Sequence, residues 1–235
     1  MTIARRKIIG LFAAGAATTL AGCGGGGEVY IDVPYVPTRS MSLLNLNPEF
    51  PLSDVTFGAA TVASALAFPG ITTRFVAEYG YYTLSIRNRS PFVTQNFDNV
   101  LVDAISPSLF VFYRRFASTR LGSSPPVPGI TNYFDSTVAL DVDLFDQTGG
   151  VQLIDALGFE RDAAQTSGSR NCTLRLYAAG SNVLVYDSGL QQRTDSIIIF
   201  PRFPAASSRS GEVAVVGLNY NVNGASAVSW TNILG

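Results

Sequence analysis

Short apolar or alternating runs, bounded by Gly, Pro, Asn and Asp, dominate the chain after Leu20. Helical periodicity is almost absent there. Runs of this length with such boundaries are the signature of β-strands. The sequence therefore predicts an all-β protein. The predicted strands are 41–46, 54–57, 61–67, 71–78, 81–87, 100–104, 109–116, 138–145, 151–156, 172–178, 183–186, 197–202 and 212–220.

These strands fall into two sets that look like an internal repeat. Residues 82–86 precede the run 108–114 in the first set, and residues 172–176 precede the run 196–202 in the second. The Pro- and Gly-rich stretch 121–129 lies between the sets and has the composition of a stiff connector. We expect two tandem immunoglobulin-like antiparallel β-sandwiches. The predicted domains are 40–120 and 130–235, the second ending in a C-terminal strand.

The amino-terminal residues 1–22 have the organisation of an export signal. Arg5, Arg6 and Lys7 form a positive region, and the apolar run 8–20 follows. That run is too short and too weakly apolar to span a membrane as a helix, whereas it suits a signal peptide. The arginine pair leaves two export routes open, the general secretory route and the twin-arginine route.

The tetrapeptide Leu20-Ala21-Gly22-Cys23 resembles the bacterial lipobox, and residues 24–27 are all glycine. The resemblance implies cleavage before Cys23, diacylation of its sulfur and acylation of the new amino terminus. Two or more acyl chains anchor a protein stably. Residues 23–39 would then be a flexible linker. Gly rather than Asp at position 24 implies, by the same resemblance, sorting to the outer membrane. The alternative is an ordinary signal with a chance cysteine.

Composition excludes several classes of chemistry. The chain has no histidine, which removes the usual general base and histidine-ligated metal sites. Cleavage before Cys23 removes the only lysine and two arginines but none of the 17 acidic residues, so the mature protein is mildly acidic. We therefore expect no nucleic-acid partner. Cys172 is the only other cysteine, which leaves no intramolecular disulfide once Cys23 is lipidated.

Short strand and turn motifs occur at residues 44–48, 54–58, 67–70 and 78–84 in the first half, and at 138–145 and 177–181 in the second. Together they resemble the DUF4397 family of bacterial cell-envelope proteins, whose members are often lipoproteins with β-sandwich repeats. The resemblance covers most of residues 40–204. A histidine common near the family's first strand is missing, and the family's tyrosine-rich hairpin is replaced by residues 167–172 in the second half. The resemblance brings no catalytic residue and no reaction.

The densest group of carboxylates is Asp141, Asp143 and Asp146, with Asp135 before them. Asp141 and Asp143 are two apart on a predicted strand and share a face. They are candidate Ca²⁺ ligands. The alternative, which we favour, is the solvent face of an amphipathic strand, since no spacing here matches a known calcium loop. We expect no metal or other cofactor.

Other candidate residues have ordinary alternatives. The five glutamates of the mature chain are scattered, which argues against a glycosidase built on paired carboxylates. Cys172 alternates with leucines, so we expect a buried, inert thiol. Tyr79, Tyr81 and Tyr82 flank Gly80 at a predicted hairpin, where they would stack on a ligand or pack a corner. The same two interpretations apply to Trp230.

The sequence thus favours a non-enzymatic lipoprotein of the outer membrane, structural or binding, facing the periplasm or the exterior. Its partner would be the membrane, to which the lipid anchor on Cys23 would attach it. An envelope protein or a glycan is a possible further partner. The alternative is a carbohydrate- or peptide-binding surface module, with or without Ca²⁺, and a third hypothesis is a hydrolase that uses Asp or Glu alone.

Overall fold

Every regular element in the described part of the chain is a β-strand. The structure is a computed structural model, and it describes residues 35–116, 118–123, 128–137, 139–165, 170–221 and 224–234. The predicted signal peptide, Cys23 and the linker up to residue 34 lie outside these residues. Within these ranges there is no helical segment that could span a membrane. Residues 36–235 form one compact unit.

The first half of this unit consists of two sheets. The first outer sheet has the strand order β3-β2-β6-β7, and the first inner sheet has the order β4-β1-β8-β9, with β5 also paired to β1. The strands are β1 (Thr38–Leu46), β2 (Leu52–Phe57), β3 (Ala60–Ala67), β4 (Gly70–Ile71), β5 (Phe75–Glu78), β6 (Gly80–Asn88), β7 (Thr94–Val102), β8 (Leu109–Arg115) and β9 (Ser118–Gly122).

The second half repeats this plan. The second outer sheet has the order β12-β11-β14-β15, and the second inner sheet has the order β13-β10-β16-β17-β18. The strands are β10 (Gly129–Asn132), β11 (Leu140–Asp146), β12 (Val151–Leu157), β13 (Arg161–Ala164), β14 (Asn171–Ala178), β15 (Leu184–Gln192), β16 (Ser196–Pro201), β17 (Val213–Asn221) and β18 (Gly224–Trp230).

The pairing pattern is the same in both halves. Strand β1 runs parallel to β8 and antiparallel to β5, and β10 runs parallel to β16 and antiparallel to β13. The expectation of purely antiparallel sheets is therefore wrong at these two parallel pairs. The two strands of each parallel pair are far apart in the chain, which leaves room for the long crossover connection that a parallel pair requires.

Three apolar clusters hold the sheets together. One lies between the first outer and first inner sheets and includes Val55, Ile86 and Phe112. A second lies between the second inner and second outer sheets and includes Val142 and Ile199. The third joins the two inner sheets through Leu44, Leu46, Leu109, Val111, Tyr113, Tyr133, Ile198, Phe200, Val216 and Leu218.

The inner strands are consequently buried on both faces. Every residue of β16 is buried, as are Leu109 to Tyr113 of β8. A strand covered on both sides is apolar without alternation, so its sequence contains no signal for register. The proposed sequence match of Ser108 with Ser196 is accordingly wrong by one residue. Because Asn45 pairs with Phe112 and Asn132 pairs with Ile199, it is Leu109 and Ser196 that occupy equivalent positions.

An asparagine closes the first strand of each half in the same way. The side-chain amide of Asn45 donates to the carbonyl of Phe50 at 2.9 Å, and its oxygen accepts from the amide of Asn47 at 3.0 Å. The side chain of Asn132 donates to the carbonyl of Leu157 at 2.8 Å and accepts from the amide of Phe134 at 2.9 Å. Both side chains are buried.

An aspartate on the next strand holds a bulge in each half. Ala65 and Ala156 have left-handed backbones, with φ of 59° and 51°. The amide of Ala65 donates to Asp54 at 3.0 Å, and the amide of Ala156 donates to Asp141 at 2.8 Å. Each hydrogen bond satisfies a backbone group that the bulge removes from the ladder. Asp141 thus has a structural partner inside its own sheet.

Some strands differ from the sequence prediction. The predicted strand 71–78 is divided into β4 and β5, the predicted strand 100–104 lies at the end of β7, and β9, β10, β13 and β18 are absent from the predicted strands. The predicted connector 121–129 overlaps the end of β9 and the start of β10. These strands are short and polar or border Gly and Pro, so they lack a clear period.

We expect Asn45→Ala and Asn132→Ala each to lower the free energy of unfolding by about 1–3 kcal/mol, because each leaves buried backbone groups without a partner. Urea denaturation measures this loss. The control is Asn96→Ala on the exposed face of β7, which should change stability by less than about 0.5 kcal/mol. Equal effects at all three positions would show that these side chains do not close the strands.

Candidate functional site

A buried ion pair joins β8 to the segment that follows β10. Arg114 donates through Nε to Asp135 Oδ2 at 2.8 Å and through Nη2 to Asp135 Oδ1 at 2.7 Å. Its side chain is 6% exposed and that of Asp135 is 3% exposed. Two parallel charge-assisted hydrogen bonds fix the guanidinium in one orientation. We call Arg114 and Asp135 the junction pair.

The junction pair also binds the loop between β16 and β17. Nη1 of Arg114 donates to the carbonyl of Phe203 at 3.1 Å. Glu49, from the turn after β1, lies 3.6 Å from the same nitrogen and accepts from the amide of Ala205 at 2.7 Å. Two side chains of the first half, Arg114 and Glu49, therefore hold this loop of the second half in place.

An open cleft of about 490 Å³ lies beside the junction pair. This volume falls within the range of small-molecule sites, about 300–1,000 Å³. The lining combines two aromatic rings, three hydroxyl side chains and the junction pair. We call it the junction cleft, and its lining residues are Arg114, Phe116, Phe134, Asp135, Ser136, Thr137, Ala205, Ser210 and Gly211.

Phe116 at the edge of the junction cleft has an unusual backbone. Arg115 of β8 pairs with Ser118 of β9, which places Phe116 in a two-residue connection. Its φ is 51°. Such connections favour Gly, Asn or Asp, and a left-handed backbone costs other residues about 1–2 kcal/mol. Half of the Phe116 side chain is nevertheless exposed to solvent.

The junction pair stabilises this strained residue. The amide of Phe116 donates to Asp135 Oδ2 at 2.9 Å, the same oxygen that accepts from Arg114. The ring of Phe116 also lies 5.5 Å from the ring of Phe159, centroid to centroid. The hydrogen bond to the buried Asp135 carboxylate thus stabilises the strained backbone of Phe116, and the ring of Phe159 packs against its side chain.

The charges around the junction cleft are matched. Glu212 binds Arg209 through two hydrogen bonds and lies 3.4 Å from Arg202. The Arg209 guanidinium lowers the pKa of Glu212 through these bonds, and Glu212 raises the pKa of Arg209. Arg209 also lies over the ring of Phe203, 4.3 Å from its centroid. Around the junction cleft, three arginines are thus balanced by three carboxylates, those of Glu49, Asp135 and Glu212.

A second polar contact lies within the shared core. The hydroxyl of Tyr113 donates to Glu160, and the ring of Tyr113 lies 4.3 Å from that of Tyr133, centroid to centroid. Burial raises the pKa of both tyrosines far above the ordinary value. The two phenols therefore remain uncharged and act as packed, hydrogen-bonding groups rather than as acids.

The predicted carboxylate cluster is dispersed. Asp135 belongs to the junction pair, and Asp141 accepts from the amides of Ala156 and Gly180 at 2.8 and 3.1 Å. Asp146 caps its own turn by accepting from the amides of Thr148 and Gly150, each at 2.8 Å. Asp143 pairs across the sheet with Arg175, and its pKa is raised by partial burial and by Asp141.

No three His, Cys, Asp or Glu side chains within the described ranges are grouped so that they could hold a metal ion. Asp141 and Asp143 do share the outward face of β11, as the spacing predicts. On that face Asp141 accepts hydrogen bonds from the amides of Ala156 and Gly180, and Asp143 pairs across the sheet with Arg175.

The other candidate residues have packing roles. Cys172 is fully buried, and burial raises the pKa of its thiol. Trp230 is buried, and its carbonyl accepts from the hydroxyl of Tyr186 at 3.0 Å. Gly80 does not lie in a hairpin, because β5 pairs with β1 whereas β6 pairs with β2 and β7.

That segment is a corner where the chain changes sheets. Tyr82 stacks on Phe57 with 4.7 Å between ring centroids, and its hydroxyl donates to the carbonyl of Glu78 at 3.0 Å. Tyr81 is largely exposed and Tyr79 partly so. The packed-corner interpretation therefore holds for Tyr82.

The sequence did not reveal the junction cleft. Its lining comes from segments near residues 114, 135 and 210, which no motif connects. Comparison of the chain with protein-family models and with curated proteins found no match.

We expect Arg114→Ala to lower the free energy of unfolding by about 3–5 kcal/mol, because it leaves the buried Asp135 carboxylate unpaired. Thermal or urea denaturation measures the loss. Replacing both partners, Arg114→Met with Asp135→Leu, should recover much of it.

The control is Arg89→Ala, which breaks a bidentate pair with Asp54 at the surface. That substitution should cost no more than about 1 kcal/mol. A loss at Arg114 as small as that at Arg89 would show that the junction pair does not hold this region together.

Proposed function

We propose that this protein is a non-enzymatic lipoprotein of a bacterial outer membrane, anchored through acyl chains on Cys23. The observation that carries the proposal is the order of features at the amino terminus. Arg5, Arg6 and Lys7 precede an apolar run, the lipobox-like residues 20–23 follow it, and four glycines come next. Each feature is weak alone, whereas their order is that of a lipoprotein precursor.

The body attached to this anchor is proposed to be two immunoglobulin-like sandwiches in tandem. The repeated strand order, the repeated parallel pair and a separate core in each half support this interpretation. The resemblance to DUF4397 points the same way. A shared core between the inner sheets would make the two sandwiches a single rigid body on one flexible linker.

The chemistry of the described residues supports binding rather than catalysis. The chain has no histidine, the thiol of Cys172 is buried with a raised pKa, and the charged residues that line the junction cleft are bound to each other. A hydrolase that uses Asp or Glu alone requires a free acid and a free base in one cleft. Asp135 is committed to Arg114.

A ligand-binding role is favoured over a purely structural one by the junction cleft. It combines a half-exposed aromatic ring with hydroxyl groups, which suits the alternative of a carbohydrate- or peptide-binding module. Participation of Ca²⁺ has less support, because Asp141 and Asp146 already accept backbone hydrogen bonds.

We expect Cys23→Ser to move the protein from the membrane fraction to the soluble fraction of the envelope, since a hydroxyl cannot take the thioether-linked lipid. Fractionation with labelled fatty acid measures the anchor directly. Cys172→Ala is the matched control, because it removes the only other cysteine and should leave both the label and the partition unchanged. Membrane retention of the Cys23→Ser protein after a high-salt wash would refute the anchor.

A further inference from the structure

The strained aromatic residue at the junction cleft points to a ligand. Phe116 occupies a turn position where Gly, Asn or Asp would fit without strain. Its φ is 51° and half of its side chain is exposed. Strained residues that persist are held by their surroundings and cluster at binding sites. Here the hydrogen bond from the Phe116 amide to the buried Asp135 holds the strained backbone in place.

The electrostatics of the junction cleft favour an uncharged ligand. Arg114 is bound to Asp135 by two hydrogen bonds, and Arg209 and Arg202 share Glu212. A charged ligand would have to break one of these pairs or remain unpaired itself, and either event costs free energy.

The lining also indicates what kind of uncharged ligand fits. Phe116 and Phe134 supply aromatic surface, and Thr137 and Ser210 supply hydroxyl groups that both donate and accept. A sugar ring has an apolar face of C–H groups and a rim of hydroxyls, so it matches an aromatic ring next to hydroxyl side chains. A peptide would instead require an unpaired strand edge or a row of backbone partners.

We propose that the junction cleft binds a neutral pyranoside, with the ring of Phe116 stacked on the sugar and the hydroxyls of Thr137 and Ser210 hydrogen-bonded to it. The inference rests on the proposed binding function and assigns its ligand class. Asp135 and Arg114 act as positioning residues, because they hold the backbone of Phe116 and do not need to touch the sugar.

The test uses the full mature chain in a detergent without a sugar headgroup. Neutral oligomers of glucose and of N-acetylglucosamine are titrated by calorimetry and by saturation-transfer NMR, up to about 10 mM so that a Kd near 1 mM is detected. Oligogalacturonides supply the anionic arm, and a mixture of neutral pentapeptides supplies the peptide arm. We expect binding of at least one neutral oligomer and none in the other two arms.

Two substitutions locate the site and separate binding from folding. Phe116→Ala and Phe116→Gly should each weaken sugar binding at least tenfold. Phe116→Gly should leave Tm within about 3 °C, because relief of the left-handed strain offsets the loss of a half-buried ring. Phe92→Ala removes another largely exposed phenylalanine, which lies on the β6–β7 loop and does not line the junction cleft, and it should leave binding unchanged.

Three results would overturn the proposal: no binding by any neutral oligomer, unchanged affinity after Phe116→Ala, or preference for the anionic oligomers or peptides. Failure of the proposed function has other signatures. A Cys23→Ser protein that stays in the membrane contradicts the anchor alone. Chromatography that shows cleavage of a bound oligomer contradicts the non-enzymatic role but leaves the ligand class intact.

Discussion

Burial of the two inner sheets on both faces is the constraint from which the rest of this structure follows. Strands β8 and β16 each contribute side chains to the core of their own half and to the shared core. Phe112 and Ile199 belong to the separate cores of their own halves, whereas Val111 and Ile198 belong to the shared core. A fully buried Leu or Ile contributes about 1.5–3 kcal/mol, so ten residues in the shared core couple the halves strongly.

A buried polar contact also joins the two halves. The side chain of Arg114, near the end of β8, is 6% exposed, and a guanidinium buried to this extent is stable only if it is paired. Asp135 supplies the partner from the other half. The pair in turn fixes the backbone of Phe116 and the loop at Phe203. The junction cleft is therefore lined by residues of both halves, Arg114 and Phe116 from the first and Phe134, Asp135 and Ala205 from the second.

The repeat is clearest in groups that satisfy the backbone. Asn45 and Asn132 close equivalent strands, and Asp54 and Asp141 hold equivalent bulges, although the surrounding sequences differ. A buried asparagine or a carboxylate that supports a left-handed residue is difficult to replace, since its loss leaves backbone groups unpaired. Asp141, a candidate calcium ligand in the sequence, has this structural role.

The sequence predicted the all-β class and the strands that alternate. Strands β2, β6, β11 and β14 each have one buried and one outward face, so period-two alternation identifies them. The sequence match of 82–86 with 172–176, which lie on such alternating strands, is correct. Leu84 and Leu174 pair with equivalent positions on β2 and β11. Burial on both faces removed this signal from β8 and β16.

The junction cleft could not be found in this way. Its residues are brought together by packing between sheets, and neither Arg114 nor Asp135 has a sequence neighbour that reveals its partner. One local signal was present: the sequence between Arg115 and Ser118 lacks the Gly, Asn or Asp that a tight turn favours. The signal becomes visible only when the strand ends are known.

We infer that the shared core makes residues 36–235 one cooperative unit rather than two independent sandwiches. Differential scanning calorimetry of the intact mature chain tests it most directly. We predict a single transition whose calorimetric enthalpy equals its van't Hoff enthalpy. Two separable transitions, with one half unfolding while the other remains folded, would contradict the account.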